Sequence, residues 1–162
     1  MIPDFNTYIK ESHWSEMNRR SQGITRRKED SVNLLKPKEF VDYLNNRYSF
    51  RKSKIFFGER LNTMFIPISH HGQDSREIGA AYVPDTSEIE SIWIDNNIAD
   101  ESPELYDQIN SKFKITIKNE NTPLWGYFEP PEGEELFSNL FLVKILDFIA
   151  SLDTSKKNIK RK

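Results

Sequence analysis

The sequence predicts an α+β domain: a mainly antiparallel sheet of about five or six strands, packed by a hydrophobic C-terminal helix and one or two further helices, behind an N-terminal helical arm. Three observations carry this expectation. Short apolar runs follow one another between Lys54 and Asp95, separated by clusters of turn formers. The stretch from about Glu134 to Leu152 is apolar around most of a helical circumference, as a helix that plugs a sheet must be. One helix-like segment, after Ser102, interrupts the strands, so the order of elements does not alternate as a doubly wound sheet requires.

Along the chain, residues 2–20 read as a helix. Phe5, Tyr8 and Ile9 fall on one face, Trp14 and Met17 continue the stripe, and Pro3 is tolerated in a first turn. Gly23 closes the element, and residues 21–36 read as a charged linker centred on Arg26-Arg27-Lys28-Glu29-Asp30. A helix follows from Pro37 to about Tyr48, with Phe40, Val41, Leu44 and Tyr48 as its apolar stripe. Strands are expected at Lys54–Phe57, Thr63–Ser69, Ile78–Val83 and Ile89–Asp95, with Pro67 marking an edge or a bulge. The connections Ser69–Asp74 and Pro84–Ser87 read as polar loops. Ser102 is placed as the N-cap of a helix with Pro103 at its first position, burying Leu105, Ile109 and Phe113. Lys114–Lys118 and Leu124–Glu129 read as strands, and Pro130-Pro131-Glu132-Gly133 as a rigid connector to the last helix. The organisation predicted is a helical arm and charged linker over 1–36, the α+β domain over 37–153, and a basic tail over 154–162.

Composition sets limits on what such a domain can do. The 12% share of aromatic residues supplies the large buried areas that disordered chains lack. Without a cysteine there are no disulfides, thiolate zinc sites or cysteine nucleophiles, which fits a reducing compartment. The opening Met1–Phe5 shows no secretory signal, and Leu136–Leu152 is too short and too often interrupted to span a bilayer. No membrane contact and a cytoplasmic location (host cytoplasm or virion, if phage-encoded) are therefore expected. The net charge of −2 hides an uneven distribution: residues 1–60 carry 13 basic and 8 acidic side chains, residues 61–153 carry 5 and 17, and residues 154–162 carry 5 and none. Basic ends around an acidic middle point either to intramolecular attraction or to an acidic partner such as nucleic acid. Arg26, Arg27, Lys28, Lys156 and Lys157 are the candidate contacts.

Catalytic and metal motifs are weak. His70-His71 with Gly72 and Asp74 is the most tempting set, but adjacent residues on an extended segment point to opposite sides. The carboxylates Glu88, Glu90, Asp95, Asp100 and Glu101 read as a solvated face, and no Gly-x-Ser-x-Gly elbow supports a triad. Trp125-Gly126-Tyr127-Phe128 is either a core strand with one close backbone approach at Gly126 or a surface that stacks on a base or a sugar. No catalytic residue, metal ligand or cofactor is assigned.

One resemblance enters at the N-terminus. Phe5-Asn6-Thr7-Tyr8-Ile9-Lys10-Glu11-Ser12 resembles the capsid-targeting leader on internal head proteins of large tailed bacteriophages, in which an aromatic-x-x-aromatic-Ile-x-Glu helix precedes a small residue. In that family a prohead protease cuts after the Glu, so the resemblance implies Glu11-Ser12 as a processing site. The continuation, Trp14–Met17 through Arg20-Ser21-x-Gly23 to Arg27–Asp30, resembles uncharacterised proteins of phages and bacteria of the gut Bacteroidetes group. The expected function is that of a non-enzymatic, virion-associated accessory protein whose arm docks a protein partner, or a second copy, through Phe5, Tyr8, Ile9 and Trp14. The alternatives are a nucleic-acid-associated protein using the basic groups, or a small hydrolase or ligand-binding domain with a site near His70-His71.

Overall fold

The computed structural model describes residues 31–117 and 125–162. In chain order these form α1 (Pro37–Arg47), β1 (Tyr48–Phe50), β2 (Phe56–Gly58), β3 (Thr63–His71), β4 (Asp74–Tyr82), β5 (Ile89–Asp95), α2 (Ile98–Glu101), α3 (Pro103–Lys112), β6 (Ile115–Ile117), β7 (Trp125–Phe128), α4 (Asn139–Ser151) and β8 (Ile159–Arg161). Strands β2 to β7 make one antiparallel sheet in the order β2-β3-β4-β5-β7-β6, and β1 pairs with β8 in a separate ribbon. The α+β expectation holds, with six strands in the main sheet. The helix predicted over 2–20, with its stripe and Gly23, lies outside the described residues, as does Lys118.

One face of the sheet carries the core. Met64, Ile66 and Ile68 on β3, Ile78 and Ala80 on β4, Ile92 and Ile94 on β5, and Phe128 on β7 alternate inward and are essentially sealed from water. Against them lies α4, whose Leu142, Val143, Ile145, Leu146 and Ile149 are all buried. At about 25 cal/mol per Å² of apolar area removed from water, these five side chains make α4 a substantial contributor to the core. Helix α1 is joined to α4 by a polar knot. Arg47 donates to both carboxylate oxygens of Asp147 at 3.0 and 2.6 Å, and the Tyr48 hydroxyl donates to the same group at 2.6 Å.

Several boundaries differ from the expectation for identifiable reasons. The last helix begins at Asn139, not near Glu134, because Ser138 caps it by accepting from the Phe141 N–H at 3.1 Å. The residues before it are drawn into sheet pairing, with Phe137 and Ile89 exchanging two backbone hydrogen bonds of 2.8 and 2.9 Å. Residues 31–35 belong to the fold and not to a linker. Val32 is buried in the core, and the fully buried Asn139 donates to the carbonyls of Val32 and Leu35 while accepting from the Tyr82 hydroxyl. Ser102 stands at the N-cap of α3, but its hydroxyl makes no capping hydrogen bond. Pro67 stands at a bulge, between Pro67 and Ser69, and at a local edge as well: β2 pairs with β3 only over Thr63–Phe65, so at Pro67 the one strand partner is Glu77 on β4.

The largest correction is at the C-terminus. Residues 154–162 were expected to be a solvated tail, yet Ile159 and Asn158 are buried and Ile159–Arg161 pairs in register with Phe50, Ser49 and Tyr48. Asn158 explains why the segment stays. Its side chain donates to the carbonyls of Ser53 and Pro67 and accepts from the Lys52 N–H, while its own N–H reaches the Ile68 carbonyl at 2.8 Å. One amide thus satisfies the backbone that the β3 bulge leaves open.

Candidate functional site

The second face of the sheet carries a row of rings. Register places Phe56 opposite Phe65, Phe65 opposite Gly79, Gly79 opposite Trp93, and Trp93 opposite Tyr127. Because directly paired residues share a face, these side chains form one line across five strands. Phe56 and Phe65 stack with centroids 6.1 Å apart, Phe65 meets Trp93 edge-on at 5.8 Å, and Trp93 leans on Trp125 at 4.5 Å. Gly79 makes this possible. A Cβ there would stand 2.0–2.4 Å from three consecutive Trp93 ring atoms, so the indole lies face-on across the bare backbone. Phe56 remains 63% and Trp125 37% exposed, while Phe65, Trp93 and Tyr127 are half-buried. Five rings therefore meet solvent on a face that no described helix seals.

The flanks of the row differ. On one side stand the small residues Thr63, Ala81 and Ser91, in mutual register. On the other are Glu77, Asp95 and a shallow hollow of about 410 Å³ lined by Phe56, Phe65, Pro67, Ser53, Lys54, Ser75 and Glu77. Burial, and then the charge of Asp95, holds the Glu77 carboxyl above its ordinary range. The row is thus an apolar strip with a polar margin of hydroxyls, Glu77 and Lys54. Of the Trp125–Phe128 motif, Trp125 and Tyr127 belong to the strip. Phe128 turns into the core, and a Cβ on Gly126 would stand 2.6 Å from Ile115, so the motif is a strand with the expected close approach at Gly126 and one face, Trp125 and Tyr127, turned towards solvent.

The other sequence candidates are dispersed. Phe5, Tyr8, Ile9, Trp14, the Glu11-Ser12 bond, Arg26, Arg27 and Lys28 lie outside the described residues. His70 and His71 are not in a polar loop but end β3, paired with Ser75 and Asp74 across a two-residue hairpin whose Gly72 takes the positive φ of 62° that a type II′ turn needs. His71 is exposed and His70 half-buried, so the pair does not converge. Asp95 and Glu101 are drawn to Arg76, which donates to both oxygens of Glu101 at 2.8 and 2.6 Å. Glu88 and Glu90 are exposed, and among the described residues no group of three or more His, Asp or Glu side chains is placed to hold a metal ion. Lys157 is not a phosphate contact in waiting. Its ammonium donates to the carbonyls of Ala150 and Leu152 and closes the C-terminal end of α4. Lys156 donates to the Glu101 carbonyl at 2.7 Å.

Compared with known proteins, the chain matches no family model, no curated protein and no solved structure. Among the described residues no helix is long and apolar enough to cross a membrane. Sequence reasoning missed the row because its members are spread from Phe56 to Tyr127 and only strand register aligns them. The one local signal was Gly79 inside a β-rich run, where a missing side chain marks a close approach.

Proposed function

We propose that this chain is a non-enzymatic accessory protein that works by docking onto a protein partner, and that the ring-bearing face of its sheet is the folded domain's contact surface. The aromatic row carries this reading: contiguous exposed apolar surface marks interaction sites, and Trp and Tyr clusters at the centre of an interface supply most of its energy. The margin of Glu77, Lys54, Ser75 and Ser53 provides the polar rim that specific interfaces carry. A virion-associated setting is part of the proposal and rests on the likeness of residues 5–12 to capsid-targeting leaders, with Phe5, Tyr8, Ile9 and Trp14 as a second contact.

The reading is tested by binding from a producing cell to three immobilised full-length forms: the unaltered chain, Trp93→Ala with Trp125→Ala, and Lys38→Glu on an unrelated surface. A defined protein retained in stoichiometric amount by the first and third, and lost from the second, is the expected result. A partner recovered equally from all three would remove the sheet face from the proposal. Phe5→Ala with Tyr8→Ala tests the arm by the same readout.

A further inference from the structure

The pairing of β1 with β8 does something that the linear sequence conceals. It folds together two segments, 47–54 and 154–162, that hold nine basic side chains and no carboxylate. They lie about a hundred residues apart in the chain, and the strongly acidic stretch runs between them. Within the ribbon, alternation sends Tyr48 and Ile159 into the core, so Ser49 and its register partner Lys160 face the other way. Arg51, two residues on from Ser49, shares that side.

A cleft of about 500 Å³ opens here, with Ser49, Phe50, Arg51, Thr154, Ser155 and Lys160 among the residues that line it. Not every nearby cation faces it. Lys157, although part of the wall, caps α4, and Arg161 leans towards Asp147 at 3.7 Å. Arg51 and Lys160 differ: among the described residues neither enters an ion pair, and the only hydrogen bond given to the Arg51 guanidinium is a long one of 3.4 Å to the Ser155 carbonyl. Two carboxylates stand beside the ribbon, Asp153 near Lys157 and Asp147 near Arg161.

We propose that this cleft binds phosphate groups of a single-stranded nucleic acid, with Arg51 and Lys160 as the cationic contacts and the Ser49, Thr154 and Ser155 hydroxyls as donors, while Phe50, the register partner of Ile159, packs its ring against the core. Each part answers a property of the ligand. Guanidinium and ammonium groups neutralise phosphates, and hydroxyls donate to their oxygens. The cleft volume falls within the range of small-ligand sites, large enough for one nucleotide unit. A neighbouring group senses the same field. His70, whose backbone N–H reaches the Lys156 carbonyl, is held below its ordinary value by burial and then by the charges of Lys52, Arg51 and Lys156, and its Nε2 has no hydrogen-bond partner among the described residues. This surface is separate from the aromatic row, and the inference does not depend on the docking reading.

The experiment is fluorescence anisotropy of a labelled oligothymidylate of about twenty nucleotides with the full-length chain, titrated at several salt concentrations. Binding that weakens as salt rises is expected, with a log–log slope of about −0.7 per phosphate neutralised. Arg51→Glu with Lys160→Glu should weaken it about tenfold or more, Arg51→Lys with Lys160→Arg should retain most of it, and Trp93→Ala should leave it unchanged. Both reversed positions are exposed, and circular dichroism confirms folding. Should the double reversal not fold, Lys160→Glu alone decides. Salt-independent binding, no binding, or equal binding by the charge-reversed protein overturns the site. Complete competition by inorganic phosphate at equal phosphate concentration, or equal capture of vesicles rich in anionic phospholipid, overturns the assignment to nucleic acid.

Discussion

Asn139 shows how much one side chain can decide. It is the first residue of α4, it is fully buried, and each end of its amide is engaged: Nδ2 donates to Val32 and Leu35 at 2.9 and 3.0 Å, and Oδ1 accepts from the Tyr82 hydroxyl at 2.7 Å. Beside it, the Leu140 N–H donates to the Asn33 side chain. These bonds tie the chain before α1 to the sheet and to the main core helix at one point. Replacing Asn139 with Leu keeps the branching at Cγ but adds bulk and strands two carbonyls and a hydroxyl in a dry site, each costing about 1–3 kcal/mol if nothing relaxes. The expected loss is about 3 kcal/mol in urea unfolding, with a fall in melting temperature of roughly 10 °C. Tyr82→Phe, which removes the donor with its own polar atom, should cost about 1 kcal/mol. Equal stabilities for Asn139→Leu and the unaltered chain would mean that the amide is not the anchor described. None of this was legible beforehand. An Asn inside an apolar run is an interruption in one dimension, and only the fold shows which three groups it serves.

At the scale of elements, legibility followed period and length. β3, β4 and β5 are seven to nine residues long, and their apolar stretches Thr63–Ser69, Ile78–Tyr82 and Ile89–Asp95 were legible, whereas the polar ends that meet at the hairpin, His70–His71 and Asp74–Glu77, were not. α1 and α3 announced themselves by Pro at the first turn and a stripe at helical spacing. β8 could not be read that way. It has three residues, one of them apolar, in a run otherwise basic, and so short a segment has no measurable period. What holds it is Ile159 in the core, Asn158 at the bulge and Lys157 on the end of α4, all tertiary contacts. Ile159→Asp therefore separates the two descriptions of this segment. In a solvated tail the substitution is neutral. In a strand it buries a charge, and a loss of about 3 kcal/mol or more, or failure to fold, is expected. The measurement is chemical denaturation beside Lys162→Asp, whose side chain is exposed and whose stability should stay within about 0.5 kcal/mol of the parent. A neutral Ile159→Asp would return residues 154–162 to solvent and dissolve the basic cleft with them.

At the scale of the molecule, the charge pattern acquires a geometry. The basic ends and acidic middle, visible as a count, become a basic ribbon at one place and acidic margins elsewhere, stitched by two arginine–carboxylate clamps. Arg47 and Tyr48 hold Asp147 between α1 and α4, and Arg76 holds Glu101 between β4 and α2. Burial by itself would raise Asp147, but the hydrogen bonds from Arg47 and Tyr48 and the charges of Arg47 and Arg161 outweigh it and leave the group below the ordinary range. Glu101 is lowered chiefly by its bonds to Arg76, against a smaller opposing effect of burial. A carboxylate lowered in the folded state contributes stability above its unfolded pKa, near 4 for these groups, and that contribution is lost as pH falls through the folded value. Glu77 acts with the opposite sign. Its raised carboxyl penalises the folded state when ionised, so protonating it on the way down from neutrality stabilises slightly. His70 works against Glu77 in this window: held below its ordinary value, it is protonated first in the unfolded chain, so its contribution falls as pH drops through about 6.5. The urea midpoint should therefore change little from pH 7 to about 5, where the two oppose each other, and drop steeply below about 4. Asp147→Asn should be less stable at pH 7, because Arg47 loses its counter-charge, and its decline below pH 4 should be shallower. A midpoint that is flat from pH 5 to pH 3, or equally steep in the variant, would show that these clamps do not couple the helices to the sheet through charge.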